Sequence, residues 1–150
     1  MPIKKITFKY LVGFTLLELM IVFSIIAIIL GFGVPTLNPI IANARLIASA
    51  NEMLSALQLA RSEAAKSMQY SGVVLDGNKW SVYLGSKTNV IRYYMPSSNV
   101  TLHTDITEIN YGQDARLNSA TSIVLIFESS TNSTRTLTVS PSGKINISNP

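Results

Sequence analysis

The pattern of apolar and polar residues divides the chain into three segments of different character. In the first, from Phe14 to Val34, only Thr15, Glu18 and Ser24 carry polar side chains. A helix of these 21 residues is roughly 30 Å long, which is the thickness of the hydrocarbon core of a bilayer. The pattern therefore predicts that residues 14–34 form a membrane-spanning helix.

Lysines precede this segment on its N-terminal side. Lys4, Lys5 and Lys9 lie within residues 1–13, which contain no acidic residue. Positive charge next to a membrane helix favours the cytoplasmic side. We therefore expect the N-terminus in the cytoplasm and the residues after Val34 on the opposite side of the membrane.

Residues 35–71 have the period of an amphipathic helix. Their apolar side chains recur at spacings of three and four residues and define one stripe: Leu46, Ala50, Met53, Leu54, Leu57, Ala60, Ala64 and Met68. Polar residues, Ser49 among them, are expected on the remaining surface. We expect the stripe to pack against a sheet, with a partner helix as the alternative contact. Pro35 is predicted to break the helix, because proline lacks a backbone N–H, and Gly72 to end it.

Residues 72–150 consist of short runs rich in Val, Ile, Thr and Tyr, which predict an antiparallel β domain. The first two runs, Val73–Asp76 and Lys79–Leu84, are joined by Gly77-Asn78, a hairpin turn signal. Residues 122–128 are the most apolar run, which predicts a central strand buried on both faces. Further strands are predicted at 89–95, 99–104, 106–111, 134–140 and 144–148.

The last hairpin specifies its own register. Leu137 and Val139 alternate with polar residues, as do Ile145 and Ile147, so the two pairs are expected to oppose each other. One long helix followed by antiparallel strands is an α+β arrangement. The predicted fold is a long N-terminal helix, embedded in the membrane over its first half, that packs on an antiparallel sheet.

Charge and composition exclude several classes of function. The chain has 12 basic and 8 acidic residues, but three of the basic ones precede Gly13. The remainder is nearly neutral and lacks the strongly basic surface of many nucleic-acid-binding proteins. There is no cysteine, and the single histidine is His103, so neither a disulfide nor a metal site is predicted. Spacing supports no catalytic constellation, and we expect neither enzyme activity nor a cofactor.

Glu18 is the one charge within the apolar segment. A carboxylate inside a membrane helix costs on the order of 2.5–3.5 kcal/mol, and less near the helix end. Thr15 and Glu18 have the spacing of a capping box, in which the glutamate satisfies backbone donors at the start of the helix. The alternative is that Glu18 pairs with a cation of another molecule. The two interpretations are compatible, because capping leaves the charge unneutralised.

The run Gly13-Phe14-Thr15-Leu16-Leu17-Glu18-Leu19 resembles the N-terminal signature of type IV pilins and type II secretion pseudopilins. The resemblance implies that a prepilin peptidase removes a leader, residues 1–13, by cutting after Gly13, and that Phe14 is then methylated on its nitrogen. It also implies that Glu18 pairs with the terminal ammonium of a neighbouring subunit. Pro35 matches a proline that is common in the family.

The same resemblance implies where the protein acts. Members are single-pass proteins of the bacterial inner membrane, with a cytoplasmic N-terminus and a periplasmic C-terminal domain. An inner-membrane assembly platform draws them into a helical filament. The implied partners are thus other pilins or pseudopilins, the prepilin peptidase and that platform.

Two further segments resemble the branch that contains the minor pseudopilin GspH and the minor pilin FimT. They are the run Ala60-Arg61-Ser62-Glu63-Ala64 and the hairpin around Pro141-Ser142-Gly143. Taken alone, the first would be an ordinary solvated helix face. The resemblance implies a minor subunit of a type II secretion pseudopilus or of a type IV pilus, with a role in protein secretion as the first hypothesis. Both the pseudopilus and the pilus are consistent with the sequence.

The C-terminal turn raises an alternative function. Some FimT proteins bind DNA through a Gly-Arg-x-Arg motif, and the matching residues here are Gly143-Lys144-Ile145-Asn146. Lys144 and Arg135 together would make a small basic patch, although one or two phosphate contacts give only weak binding. The alternative is a FimT-like pilin that binds DNA during natural transformation. The plainer interpretation is a solvated hairpin tip.

Overall fold

The computed structural model describes residues 13–77 and 79–148, with the backbone alone for Val34 and Pro35. The predicted leader up to residue 12, with its lysines, and the turn residue Asn78 lie outside the described residues. The chain divides after Asn38 into two compact units.

The N-terminal unit is helical and apolar. Helix α1 spans Leu16–Ile28, a π-helix follows at Ile29–Gly33, and helix α2 spans Val34–Ser67. The stretch Leu16–Gly33 has 18 residues and a mean hydropathy of 2.6, so its length and composition suit a membrane-spanning helix. None of the side chains in this stretch is buried within the chain.

Pro35 does not end the helical structure. It is the second residue of α2, and the departure from regular α-helix occurs earlier, at Ile29–Gly33. A π-helix shifts the hydrogen bonds from an i→i+4 to an i→i+5 pattern. Pro35 has no N–H for the carbonyl of Gly31, four residues before it, so the regular pattern is already lost there. The predicted break is therefore corrected to a change of helix type just upstream of the proline.

The second unit contains the rest of α2 and two antiparallel sheets. Its strands, within the described residues, are β1 (Ser71–Asp76), β2 (Lys79–Leu84), β3 (Ser86–Tyr94), β4 (Val100–His103), β5 (Glu108–Tyr111), β6 (Ile123–Ser129), β7 (Thr134–Val139) and β8 (Ile145–Ser148). One sheet has the order β3-β2-β1-β5 and the other β4-β6-β7-β8. The α+β fold class is confirmed, but the strands form two sheets where one was predicted. Hydrophobic alternation marks each strand without showing which strands pair, so it could not separate the sheets.

A single core joins α2 to both sheets. The predicted stripe is buried from Leu46 to Ala64, except that Leu54 is only partly buried. Trp80 of the first sheet and Phe127 of the second meet edge to face, with their ring centroids 6.2 Å apart. Both side chains are almost fully buried. The alternative contact of the stripe, a partner helix, is not needed to cover it.

The polar side and the end of α2 differ from the prediction. Ser49 is buried rather than on the surface, and its hydroxyl accepts a hydrogen bond from the Ser97 amide at 3.2 Å. The helix ends at Ser67, since Met68 has a positive φ of 54° that reverses the chain. Met68 is therefore exposed, and Gly72 lies inside β1 instead of ending the helix.

The most apolar strand is central in its sheet but is not buried on both faces. In β6, Phe127 points into the core while Val124 and Ile126 are exposed on the opposite face. The sheet thus has one covered and one open face, as antiparallel sheets often do. The predicted register of the last hairpin is confirmed, with Leu137 opposite Ile147.

Candidate functional site

The predicted cleavage junction precedes the first helix. Gly13, Phe14 and Thr15 are not helical, and α1 begins at Leu16. The Phe14 side chain is 79% exposed. Exposed, non-helical backbone is the usual substrate of proteolysis. The Gly13–Phe14 bond therefore lies in backbone of the kind that proteases cut.

Thr15 caps α1 and leaves the Glu18 carboxylate unpaired. Thr15 has extended backbone angles, φ −79° and ψ 151°, and its Oγ1 accepts a hydrogen bond from the Glu18 amide at 3.2 Å. This is the threonine half of the predicted capping box. The Glu18 side chain has no hydrogen bond or ion pair with any residue that the structure describes. On an exposed apolar helix, such a charge calls for a partner outside that part of the chain.

Arg61 of α2 joins two loops of the second unit. Its Nε donates to the Ala115 carbonyl at 3.1 Å, and its Nη2 donates to the Ser142 carbonyl at 3.5 Å. The two segments that resemble the GspH/FimT branch therefore meet at this side chain. The sequence alone placed Arg61 on a solvated helix face, because helix periodicity cannot show contacts with carbonyls 54 and 81 residues away.

Gly143 fits against Arg61 because it has no side chain. Its φ is +78°, and a Cβ there would lie 2.6 Å from the Ala115 carbonyl oxygen and 3.0 Å from Arg61 Nε. The turn is closed by a bond from the Gly143 amide to the Ser140 carbonyl at 2.8 Å. Both the left-handed backbone and the close approach require glycine. Nearby, burial raises the pKa of Tyr111 to about 12, although the Arg61 charge opposes this rise.

The structure does not bring Lys144 and Arg135 together. Arg135 is the second residue of β7 and opposes Phe127, on the core-facing side of the sheet. Lys144 lies beyond the other end of β7, where its carbonyl accepts a hydrogen bond from the Ser140 amide. Ser140 is five positions after Arg135, which is about 16 Å along a strand. The basic patch predicted from these two residues is therefore not formed.

A polar network lies on the outer face of the first sheet. The Tyr83 hydroxyl donates to Glu108 Oε1 at 2.7 Å and contacts Asn110 Oδ1, and Lys87 forms an ion pair with Glu108. The hydroxyl passes over Gly72, where a Cβ would lie only 2.9 Å from it. Burial by itself would raise the pKa of Glu108, but hydrogen bonds from Lys87 and Tyr83 outweigh it and lower that pKa. The network therefore ties β1, β2, β3 and β5 together.

Metal-ligating side chains are dispersed. Within residues 13–77 and 79–148, no three His, Cys, Asp or Glu side chains are grouped so as to hold a metal ion. His103 Nε2 instead lies 2.8 Å from Glu128 Oε2. This pair joins β4 to β6 on the open face of the second sheet.

Comparison with family models identifies two matched regions. The family described as type II transport protein GspH matches residues 49–143. The prokaryotic N-terminal methylation motif matches residues 13–34. Comparison of the sequence with curated proteins found no match.

Solved structures share the fold. Two crystal forms of the type IV minor pilin FimU from Pseudomonas aeruginosa align with TM-scores of 0.64 and 0.61, at 20% and 21% identity. The alignments cover 71% and 69% of this chain and 90% and 92% of FimU. The minor pseudopilin EpsH from the type 2 secretion system of Vibrio cholerae aligns with a TM-score of 0.58 at 14% identity, over 71% of this chain and 98% of EpsH. At these identities the likeness shows the fold alone.

The family match is broad enough to assign the chain. It spans α2 from Ser49 onward and continues to the glycine of the C-terminal turn, so it includes the contact of Arg61 with Ser142. The methylation motif covers the junction, Glu18 and the apolar helix. The resemblance proposed from the sequence is confirmed. The chain belongs to the type II transport protein GspH family, as a minor pilin or pseudopilin of a type II secretion system or type IV pilus that assembles with other pilins into a filament.

Proposed function

We propose that the chain is made as a precursor that prepilin peptidase cuts after Gly13, and that Phe14 is then methylated on its nitrogen. Residues 14–34 hold the cleaved chain in the inner membrane, with its N-terminus at the cytoplasmic side and residues 39–148 in the periplasm. The inner-membrane assembly platform draws it from there into a helical filament. The role is structural, and no step of it requires a cofactor or catalysis by this chain.

The unpaired carboxylate of Glu18 on an apolar helix carries this proposal. Cleavage after Gly13 creates a terminal ammonium group at Phe14. Opposite charges attract far more strongly in a low-dielectric environment than in water. The ammonium of one subunit supplies the cation that Glu18 of its neighbour lacks, and the pair sets the register of the two helices.

Processing is tested by changing the junction. Gly13→Ala should hinder cleavage, so that the chain keeps Met1 in mass spectrometry, whereas the wild type should begin at methylated Phe14. Gly31→Ala is the matched control, because both glycines have no neighbouring atom within 4 Å of an added Cβ. Normal processing of Gly13→Ala would count against the leader assignment, and so would a native chain that begins beyond Val34.

Assembly is tested by removing the carboxylate. Glu18→Ala should be cleaved normally but enter the filament at least about tenfold less than the wild type, as expected for the loss of an ion pair worth more than 1.4 kcal/mol. Ser24→Ala is the control, because the Ser24 hydroxyl is already bonded within its own helix, to the Met20 carbonyl at 2.8 Å. Wild-type incorporation of Glu18→Ala would remove the pairing role.

We further propose that the filament serves protein secretion. The description of the matched family as a type II transport protein supports this role. Deletion of the chain in its host should stop the release of secreted proteins and leave natural transformation intact. Loss of transformation with normal secretion would assign the chain to a pilus instead.

A further inference from the structure

We propose that a groove beside Arg135 receives an acidic segment of a different pilin subunit in the filament. The groove has a volume of about 660 Å³. One wall is the face of α2 that carries Ile40, Asn43 and Ile47, and the other is the end of the β6–β7 loop at Ser133 with Arg135 at the start of β7. All of these residues belong to the second compact unit. The inference rests on the proposed assembly and adds a contact site to it.

Arg135 makes the groove selective for an anion. Among the described residues that line the groove, it is the one charged side chain. Its guanidinium forms no hydrogen bond or ion pair with any described residue, although the side chain is half-buried. A guanidinium has five N–H donors, and none of those of Arg135 is bonded to a described residue, so they are available to an anion in the groove. A carboxylate matches this donor geometry with two parallel hydrogen bonds.

The residues that line the groove favour a protein carboxylate over an inorganic anion. Ile40 and Ile47 lie two turns apart on one face of α2, and Ile40 is 65% exposed. The Asn43 amide lies between them, and the Ser133 hydroxyl lies across the groove. An acidic side chain flanked by apolar residues would cover the two isoleucines and meet the polar groups. An inorganic anion would leave the isoleucines exposed.

Other anionic partners fit less well. A nucleic acid presents a series of phosphates, and one cation provides a single contact with weak, salt-sensitive affinity. Lys144, the next cation considered on this hairpin, lies at the other end of β7. A filament, in contrast, holds neighbouring subunits at a high effective concentration, so that one ion pair with an apolar surround is a useful contact.

The experiment uses the full-length chain in its host. A photo-crosslinking amino acid at position 133 should form a covalent product with a different pilin, at a peptide that contains Asp or Glu. Arg135→Glu should reduce this product and filament incorporation at least about tenfold, because it places two like charges together. Changing the crosslinked acidic residue of the partner to Arg should restore both. Lys144→Glu is the matched control and should behave as the wild type.

The readouts separate this inference from the proposed function. If the wild type enters the filament and Arg135→Glu enters it equally well, the groove contact is wrong while the assembly role stands. If the wild type itself is not found in filaments, both are wrong. A crosslink to a phospholipid or to a second copy of this chain would also overturn the groove assignment. Fluorescence of Trp80 reports folding, and Arg135→Gln, which removes the charge without reversing it, replaces Arg135→Glu if that variant unfolds.

Discussion

The helical residues on the two sides of Asn38 differ in what covers their apolar side chains. Apart from Glu18 and Ser24, Leu16–Gly33 is apolar on all sides, and none of it is buried within the chain. From Leu46 to Ala64 the apolar side chains form one stripe, which the two sheets cover. A helix that is apolar all round needs lipid or other proteins around it, whereas a single stripe can be covered by the chain itself. The apolar side chains of the first region therefore depend on lipid or partner proteins for their cover, whereas those of the second are covered when the chain folds.

The charged residues of the two regions follow the same division. Glu18 has no partner among the described residues. Arg61, in the second region, donates to two carbonyl groups of its own chain. A polar group without a partner is costly wherever water is scarce. Arg61 is therefore satisfied by folding, whereas Glu18 needs a partner outside the described residues, which the proposed assembly would supply.

The difference between the two regions is tested most directly by removing one aromatic ring from each of them. Phe127→Ala should lower the free energy of unfolding by about 3–5 kcal/mol, the usual cost of removing a buried phenylalanine. Phe23→Ala should leave it nearly unchanged, because Phe23 is 64% exposed within the chain. The full-length protein in detergent can be unfolded while the fluorescence of Trp80, its single tryptophan, is recorded. Equal losses in the two variants would contradict the division.

The packing of the second region is tested next at the contact between Gly143 and Arg61. Gly143→Ala should cost about 2–4 kcal/mol, because the new methyl group adds backbone strain and displaces Arg61 or the Ala115 carbonyl. Gly77→Ala is the matched control, since its φ is also positive, +56°, but no atom lies within 4 Å of the added Cβ. Its cost should be roughly 1–2 kcal/mol. Urea unfolding measures the free energy of unfolding of both variants. A loss for Gly143→Ala no larger than that for Gly77→Ala would argue against the close packing of Gly143 with Arg61.

Removing the arginine itself should have a somewhat smaller effect. Arg61→Ala should cost about 1–3 kcal/mol, because a half-buried charged donor and two carbonyl acceptors lose their bonds. Arg116→Ala is the control, as Arg116 is an exposed residue near Asp114, and exposed pairs contribute about 0–1 kcal/mol. The same unfolding assay distinguishes them. An equal cost for both would mean that Arg61 is ordinary surface, as the sequence alone indicated.

The smallest effect is a pH dependence within the first sheet. The pKa of Glu108 is lowered from 4.5 in the folded protein, so its contribution to stability is present above about pH 4.5 and is lost as the pH falls through the folded pKa. The unfolding midpoint should decline below that pH, and Glu108→Gln should show a shallower decline. Phe23→Ala should follow the wild-type curve. Parallel curves for Glu108→Gln and the wild type would contradict this assignment.

The sequence predicted best where one local pattern was sufficient. The apolar run and the Gly13–Glu18 spacing indicated the anchor and the family, and alternation in the last hairpin gave the correct register. The sequence predicted less well the features that depend on which residues pack against a helix or strand. The run at residues 122–128 is apolar throughout, but the structure covers only one face of β6. Ser49 was placed on the surface, although it is buried and bonded to the Ser97 amide.

The sequence by itself determined the long apolar helix, the signature around its start and the positions of most strands, since each depends on residues close together in the chain. Only the tertiary structure decided that the strands form two sheets, that Arg61 holds the turn at Gly143 and that Arg135 and Lys144 lie apart. These facts depend on contacts between residues far apart in sequence. Periodicity shows which face of an element is apolar, but packing alone decides what meets that face.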